Sequence, residues 1–264
     1  MDRPILIHVG MPKTGTTSLQ MNLFVRHSGI QYLGKPLTVF SHEIAQLTRG
    51  ITYDPALSNP DGLSEFERSV VRPLMSQSEL PLVISEEEFS SSTPTSRISR
   101  DEIADRLLAL FPQAQILITI RRQQEAIPSL YHHMQQMGLI GEMGFEQWFE
   151  AYFSNAEGAS VFDYQEVEQR FSSRFGSRQV HIVPFELMRH NSALFVAQVC
   201  ALMKADTSEG LQVWGDGEVR NPRQGRAVVC TPNQSLRIVR RYRDGNRDLT
   251  RIRHLNLERW DYAI

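Results

Sequence analysis

Four short apolar runs, Pro4–Val9, Leu82–Ser85, Gln115–Ile120 and Val180–Val183, are separated by much longer stretches with helical spacing. Each run is too short for a helix and lacks the polar alternation of a strand with one wet face, so each is expected to be a strand buried on both sides. Helical patterns fall at Leu19, Leu23 and Phe24, at Leu63 to Met75, and at Ile103, Leu107, Leu108 and Phe111 behind a capping-box pattern at Ser99–Glu102. Others run over Glu125 to Met137, Phe145 to Phe153, Tyr164 to Phe175, Ser192 to Met203 and about Asn233 to Tyr242, where the chain becomes irregular. Strands spaced by helices pair in parallel, because parallel neighbours need long crossovers. The expectation is an α/β sandwich with a central parallel sheet flanked by helices. The stretch Gly29 to Asn59 shows only a short helical pattern around Ile44 and Leu47, and Ser90 to Thr95 reads as a loop. No composition break marks a linker, so residues 1–264 are read as a single domain.

A 264-residue chain with 41% hydrophobic and 22% charged residues is neither disordered nor collagen-like nor a disulfide-stapled miniprotein. No window approaches the roughly 20 apolar residues of a membrane span, and Ile5-Leu6-Ile7 is too short for a signal-peptide core. Cys200 and Cys230 have no metal-ligand or CxxC spacing, which fits a reducing compartment, expected to be the cytoplasm, with no metal. A net charge of −2 argues against a nucleic-acid partner. Of the 28 basic residues only Lys13, Lys35 and Lys204 are lysines. Arginine presents a planar fork suited to phosphate and sulfate. Between Glu218 and Asp261 stand 11 arginines against five acids. They fit either a solvated helix face or a segment, 218–264, that closes over an anionic ligand.

The first run leads into Gly10-Met11-Pro12-Lys13-Thr14-Gly15-Thr16-Thr17-Ser18 and then a helix. A strand-to-helix loop rich in glycine is a phosphate cradle, since backbone amides and the helix N-terminus converge on an anion. The triphosphatase pattern G-x-x-x-x-G-K-[ST] is met at Gly10, Gly15 and Thr17, but Thr16 stands where the lysine belongs. Lys13 lies three residues earlier, inside the loop, and approaches a bound phosphate from another side. The plain alternative is a tight turn with a capping threonine.

Pro12-Lys13-Thr14-Gly15-Thr16-Thr17 resembles the P-K-[ST]-G-T-T loop of the sulfotransferases that use 3′-phosphoadenosine 5′-phosphosulfate (PAPS). Arg121 at the end of the third run and Ser129 eight residues on, followed by Tyr131, are similar to that family's second signature. The resemblance implies that Arg121 and Ser129 hold the 3′-phosphate, and that Pro12, Lys13, Thr14, Gly15, Thr16, Thr17 and Ser18 cradle the 5′ side. Ile84 to Phe89 looks like the strand-end S-x-E segment of bacterial and carbohydrate-type members, and Phe185-Glu186-Leu187 like their Y-E-D-L turn. The implied fold is the P-loop kinase-like α/β sandwich. Ser18 departs from the adenine-stacking tryptophan of small-molecule members, and Arg122-Gln123 from the usual Asn-Pro or Asp-Pro. The family's glycine-rich C-terminal loop is missing, leaving Arg220, Arg223, Gly225 and Arg226 as its candidate substitutes, with Arg223 and Arg226 as cofactor contacts.

The resemblance implies in-line transfer of a sulfuryl group from PAPS to an acceptor hydroxyl or amine, leaving 3′-phosphoadenosine 5′-phosphate (PAP). The acceptor class would be a small molecule, lipid or carbohydrate. Lys13 would stabilise charge on the departing phosphate. Glu87, with Glu86 and Glu88 in reserve, is the expected base, because clustered carboxylates raise one another's pKa toward neutrality. His132 and His133 are competitors; His8 and the aromatic group Phe145, Trp148, Phe149, Tyr152 and Phe153 are expected to be packing residues. The rival readings are a P-loop kinase or other NTPase and a non-catalytic nucleotide-binding module.

Overall fold

A computed structural model describes residues 3–35, 42–90, 98–155, 159–215 and 228–264. Among these residues the sheet has five strands: β1 (Ile5–Gly10), β2 (Gln31–Gly34), β3 (Leu82–Glu86), β4 (Gln115–Ile120) and β5 (Val180–Pro184). They run in the order β2-β3-β1-β4-β5, with every pairing parallel. The helices in chain order are α1 (Thr16–Leu19), α2 (His42–Tyr53), α3 (Pro60–Phe66), α4 (Arg72–Met75), α5 (Arg100–Leu110) and α6 (Gln123–Gln136). They continue with α7 (Phe145–Ser154), α8 (Tyr164–Phe175), α9 (Phe185–His190), α10 (Ser192–Met203), α11 (Thr207–Gly215) and α12 (Pro232–Arg253). α1 runs on into a π-turn over Gln20–Phe24. This is the expected P-loop kinase-like sandwich.

The sheet is covered on both faces because its side chains alternate between two cores. Ile7, Val9, Ile84, Ile116, Ile118, Ile120 and Ile182 join one, with α5, α7, α8 and α12; Leu6, Val83, Leu117 and Val183 join the other, with α1 and α10. Connections from β1 and β4 leave in opposite directions, one toward β2 and the other toward β5, so these adjacent strands mark the topological switch point. In open α/β sheets ligands bind outside the strands' carboxyl ends at that point.

β2 lies outside the sequence expectation. Its four residues form an edge strand inside the stretch read as weak, with only Leu33 and Gly34 buried. The segment Leu63 to Met75 is helical but passes through a π-turn at Glu67–Val71. The expected irregular end after Tyr242 is instead a helix that continues to Arg253. Thr231 and Gln234 cap it reciprocally, whereas Ser99 caps α5 while Glu102 turns to Arg106 and Ser58. Arg220, Arg223, Gly225, Arg226 and residues 91–97 lie outside the described residues. Among the described residues, no helix is long and apolar enough to cross a membrane.

Ile238, Tyr242 and Leu249 of α12 share the core of α5, α7 and α8. Leu249→Ala is therefore expected to cost about 2–5 kcal/mol, lowering the midpoint of one transition seen alike by circular dichroism and tryptophan fluorescence. Two separated transitions would show that α12 folds apart from the sheet.

Candidate active site

The strand-end loop after β1 is held in shape from below. His8, Ser85 and Thr119 form a buried polar row on the α1 face of the sheet, with His8 Nδ1 2.8 Å from Ser85 Oγ and Nε2 3.3 Å from Thr119 Oγ1. Thr119 Oγ1 lies 2.8 Å from Thr14 Oγ1, which donates to the Met11 carbonyl at 2.8 Å. Gln20 donates to Ser85 Oγ at 3.0 Å. Burial pushes the His8 pKa down to about 3, so the ring is neutral and serves as packing, as expected. Each hydroxyl in this row has a partner, which is what allows polar side chains there at all.

The loop itself takes two left-handed turns, at Lys13 (φ 65°) and Gly15 (φ 89°). A Cβ on Gly15 would sit 2.6 Å from the Phe185 ring, so glycine is required twice over, by φ and by space. Lys13 has no such freedom, and the left-handed conformation costs it roughly 1–2 kcal/mol. A charged donor meets that cost: Arg121 Nη1 donates to the Lys13 carbonyl at 3.1 Å, a class of bond worth about 1.5–3 kcal/mol.

Arg121 is buried and oriented from several sides. Nη2 bonds Glu125 Oε2 at 2.9 Å, and the guanidinium lies 4.7 Å over the Phe185 ring. Tyr164 OH donates to the Arg121 carbonyl at 2.5 Å and sits 3.3 Å from its amide nitrogen. Nε is buried with no partner among the described residues. Ser129 is half-buried on α6, one turn before His133 on the same side. The pKa of His133 is lowered by partial burial and then by the charges of Lys13 and His132. His132, about 100° around the helix, does not share that side.

The three glutamates after β3 separate by environment. Glu86, buried at the strand end, pairs with Lys35 at 2.7 Å and accepts from the Glu88 amide at 3.3 Å. Glu87 packs against the loop: its Cγ lies 3.1 Å from where a Gly10 Cβ would be. Its pKa is raised by burial and by Glu86, against the opposing pull of Lys35, Lys13 and the Thr16 hydroxyl. Glu88 is half-exposed. Lys13 is shifted the other way, lowered by burial and Arg121 while Glu87 opposes. The loop ammonium and the Glu87 carboxyl therefore share one pocket of field.

Of the expected loop contacts, Thr14 turns its hydroxyl into the buried row, leaving only its backbone to a ligand, and Thr16 Oγ1 leans back to the Met11 carbonyl at 3.4 Å. Thr17 is exposed, and Pro12 and Ser18 are half-buried. Arg223 and Arg226 lie outside the described residues. The described part of the arginine-rich segment carries ion pairs of its own. There Arg237 pairs with Glu150, Arg253 with Glu168, Arg243 and Arg247 with Asp244, and Arg251 with Asp248. Lys35, Glu125, Tyr164 and Phe185 were not anticipated as site residues. Lys35 depends on recognising β2, and Tyr164 and Phe185 become neighbours of Arg121 only through tertiary packing, whereas Glu125 is a local partner four residues further along. Among the described residues no cluster of three or more His, Cys, Asp or Glu could hold a metal.

A glycine-bearing strand-to-helix loop beside a strand-end arginine, at the switch point of a five-stranded parallel sheet, is the arrangement of the P-loop kinase-like fold. The chain belongs to the sulfotransferase family, whose sequence model matches residues 4–209. No curated protein matches it. It is similar in structure to a sulfotransferase from Alicyclobacillus acidocaldarius, with a TM-score of 0.69, 16% identity, and coverage of 98% of this chain and 99% of that one. It is also similar to mouse sulfotransferase SULT7A1 complexed with PAP (TM-score 0.56, 13% identity, 95% and 89% covered). A third likeness is to the sulfotransferase domain of the Synechococcus PCC 7002 olefin synthase (TM-score 0.53, 14% identity, 89% and 93% covered).

Gly15→Ala meets both the φ penalty and Phe185, whereas Gly138→Ala, at φ 70° with no described atom within 4 Å of the added Cβ, meets only the first. Gly138→Ala is expected to cost about 1 kcal/mol and Gly15→Ala at least about 2 kcal/mol, compared by urea midpoints. Equal costs would remove the close approach of Phe185 from the account.

Proposed function

We propose that this chain transfers a sulfuryl group from PAPS to the hydroxyl or amine of a small-molecule, lipid or carbohydrate acceptor. The observation that carries the reading is Arg121. Its terminal nitrogens are fixed on the Lys13 carbonyl and on Glu125, while its buried Nε has no partner among the described residues. An anion seated beside the loop would be drawn to this guanidinium, and the 3′-phosphate of PAPS is an anion of the right charge, with Ser129 of α6 as its second contact. The 5′-phosphosulfate would then lie along Pro12 to Ser18, with Lys13 beside the bridging oxygen. That the mouse neighbour is complexed with PAP supports a nucleotide of this class as the ligand.

Transfer of a sulfuryl group moves less charge than transfer of a phosphoryl group, so one preorganised ammonium suffices where kinases use metal clamps. Lys13 stabilises the negative charge that builds on the leaving 5′-phosphate as the S–O bond breaks. Glu87 accepts the proton released as the acceptor oxygen or nitrogen bonds to sulfur. Its raised pKa makes it a stronger base than an exposed glutamate, and the field of Lys13 and Lys35 keeps it within reach of its ionised form. Glu86, committed to Lys35, is a structural carboxylate in this reading. The free thiols Cys200 and Cys230 suit a cytoplasmic setting.

Calorimetry is expected to show PAP binding without added metal at least about tenfold more tightly than AMP or ADP. Near-equal affinity for AMP would mean that nothing reads a 3′-phosphate. Tight magnesium-dependent ATP binding would favour a kinase instead.

Lys13→Ala is expected to slow sulfate transfer by about 10²–10³-fold and Glu87→Gln by about 10²–10⁴-fold, with PAP affinity retained in Glu87→Gln. Because the Glu87 pKa is raised, activity should fall as pH drops through a value above the ordinary glutamate range. Because the Lys13 pKa is lowered, the alkaline limb should begin below the ordinary lysine range. Glu87→Gln should abolish the acid limb alone; unchanged turnover and an unchanged limb would remove Glu87 from the chemistry. Silence with every acceptor pool while PAP still binds would leave a non-catalytic module.

A further inference from the structure

The family match ends at residue 209, yet the last eight residues of the chain reach the ends of β4 and β5. Leu257 and Tyr262 are buried in the main core, and Trp260 stacks on His190 of α9 with ring centroids 5.2 Å apart. Tyr262 OH donates to Glu186 Oε2 at 2.8 Å, while the other oxygen of the same carboxylate accepts the Arg122 backbone N–H at 3.0 Å. Asp261 accepts from Arg122 Nη1 at 3.2 Å, and Arg122 Nη2 bonds Glu125 Oε1 at 2.5 Å. Glu125 is also the partner of Arg121, whose other nitrogen holds the loop carbonyl of Lys13. One residue further along, Gln123 and Asn246 of α12 exchange both amide hydrogen bonds, at 3.0 and 3.2 Å, and Asn246 donates to the Ala263 carbonyl at 3.0 Å. One unbroken chain of polar contacts, Asp261–Arg122–Glu125, thus joins the strand-end arginine to residues 257–264, and two more end on the next residues, at the Arg122 amide and the Gln123 side chain.

We propose that the tail 257–264 is a positioning element of the donor site, in which Tyr262, acting through Glu186 and the Arg122 backbone, sets the orientation in which Arg121 meets the 3′-phosphate. The inference rests on the proposed PAPS reading of Arg121. Both oxygens of Glu186 receive a donor, as suits a carboxylate; a glutamine would keep its carbonyl for one partner only, and with its NH₂ on Tyr262 the hydroxyl would have to turn from donor to acceptor. Tyr262 keeps its proton, since burial and the neighbouring Glu186 hold its pKa well above the usual value. Neither residue touches the ligand; the effect passes through the backbone step at Arg121–Arg122. Its signature is therefore a loss of discrimination between nucleotides with and without a 3′-phosphate, not a loss of nucleotide binding.

The test compares the affinities of PAP and AMP in the full-length wild type and in Tyr262→Phe, Glu186→Gln and Asp261→Asn, with thermal midpoints recorded in parallel. Tyr262→Phe is expected to weaken PAP about three- to tenfold while AMP stays within about twofold; Glu186→Gln should lower the PAP-to-AMP ratio further. Asp261 is an exposed residue whose substitution leaves the core untouched, so Asp261→Asn keeps the question open to measurement should the buried variants fail to fold. Its expected loss is about twofold, again in PAP only. A lowered midpoint with the PAP-to-AMP ratio unchanged in all folded variants would make the tail a scaffold and overturn the proposal. A wild type that binds AMP as tightly as PAP would instead overturn the donor reading, and the tail's role with it.

Discussion

The hydrogen bond from Arg121 to the Lys13 carbonyl joins two segments 108 residues apart, and the site's geometry depends on it. Lys13 is strained into a left-handed conformation that an isolated loop would relax. The guanidinium holds that conformation and, in the same act, brings two cationic groups close together. Their mutual repulsion is softened by Glu125 on one side and Glu87 on the other. Arg121 stands immediately before α6, whose N-terminal amides add further positive potential. Two cations and two carboxylates from three strand ends are thereby brought to the switch point of the sheet.

Three consecutive glutamates at one strand end could have been interchangeable, and burial and partners make them different. Glu86 is committed to Lys35, which ties the end of the edge strand β2 to β3. Glu87 lies against the loop, its Cγ and the Thr16 side chain crowding the place where a Gly10 side chain would begin. Its raised pKa and the lowered pKa of Lys13 are two sides of one arrangement: both groups lose water, while each still favours the charged form of the other. A base and a cation poised in this way suit a reaction in which a proton leaves the acceptor as negative charge develops on the leaving group.

The fold was largely legible because its information is local. Buried parallel strands announce themselves as short apolar runs, and β1, β3, β4 and β5 fall within a residue or two of expectation, as do α8 and α10. β2 escaped because an edge strand with polar Gln31 and half-exposed Tyr32 carries little apolar signal. α12 was cut short at Tyr242 because its arginines and aspartates conceal a stripe, Ile238, Tyr242, Asn246 and Leu249, that packs inward at helical spacing. In the site, Lys13, Arg121 and Ser129 were visible as a motif. The Thr14 hydroxyl faces the core, which the motif does not tell, since it specifies residue types and not which way each side chain turns. Glu125 stands at i+4 spacing from Arg121, but Tyr164 and Phe185 had no sequence signal linking them to it, because only the packed sheet brings them together.

The departure at Arg122-Gln123 shows how such sites tolerate change. A proline after the strand arginine would stiffen the backbone there by fixing its own φ and restricting the residue before it. Here both residues keep their torsional freedom, and the constraint comes from side chains. Arg122 is held by Glu125 and Asp261, its amide by Glu186, and Gln123 by Asn246. A local covalent restraint has been exchanged for a distributed one whose anchors lie in α9, α12 and the tail. A distributed restraint links the geometry of Arg121 to the packing of the whole C-terminal segment, so residues far along the chain can tune it without altering any group that touches the ligand.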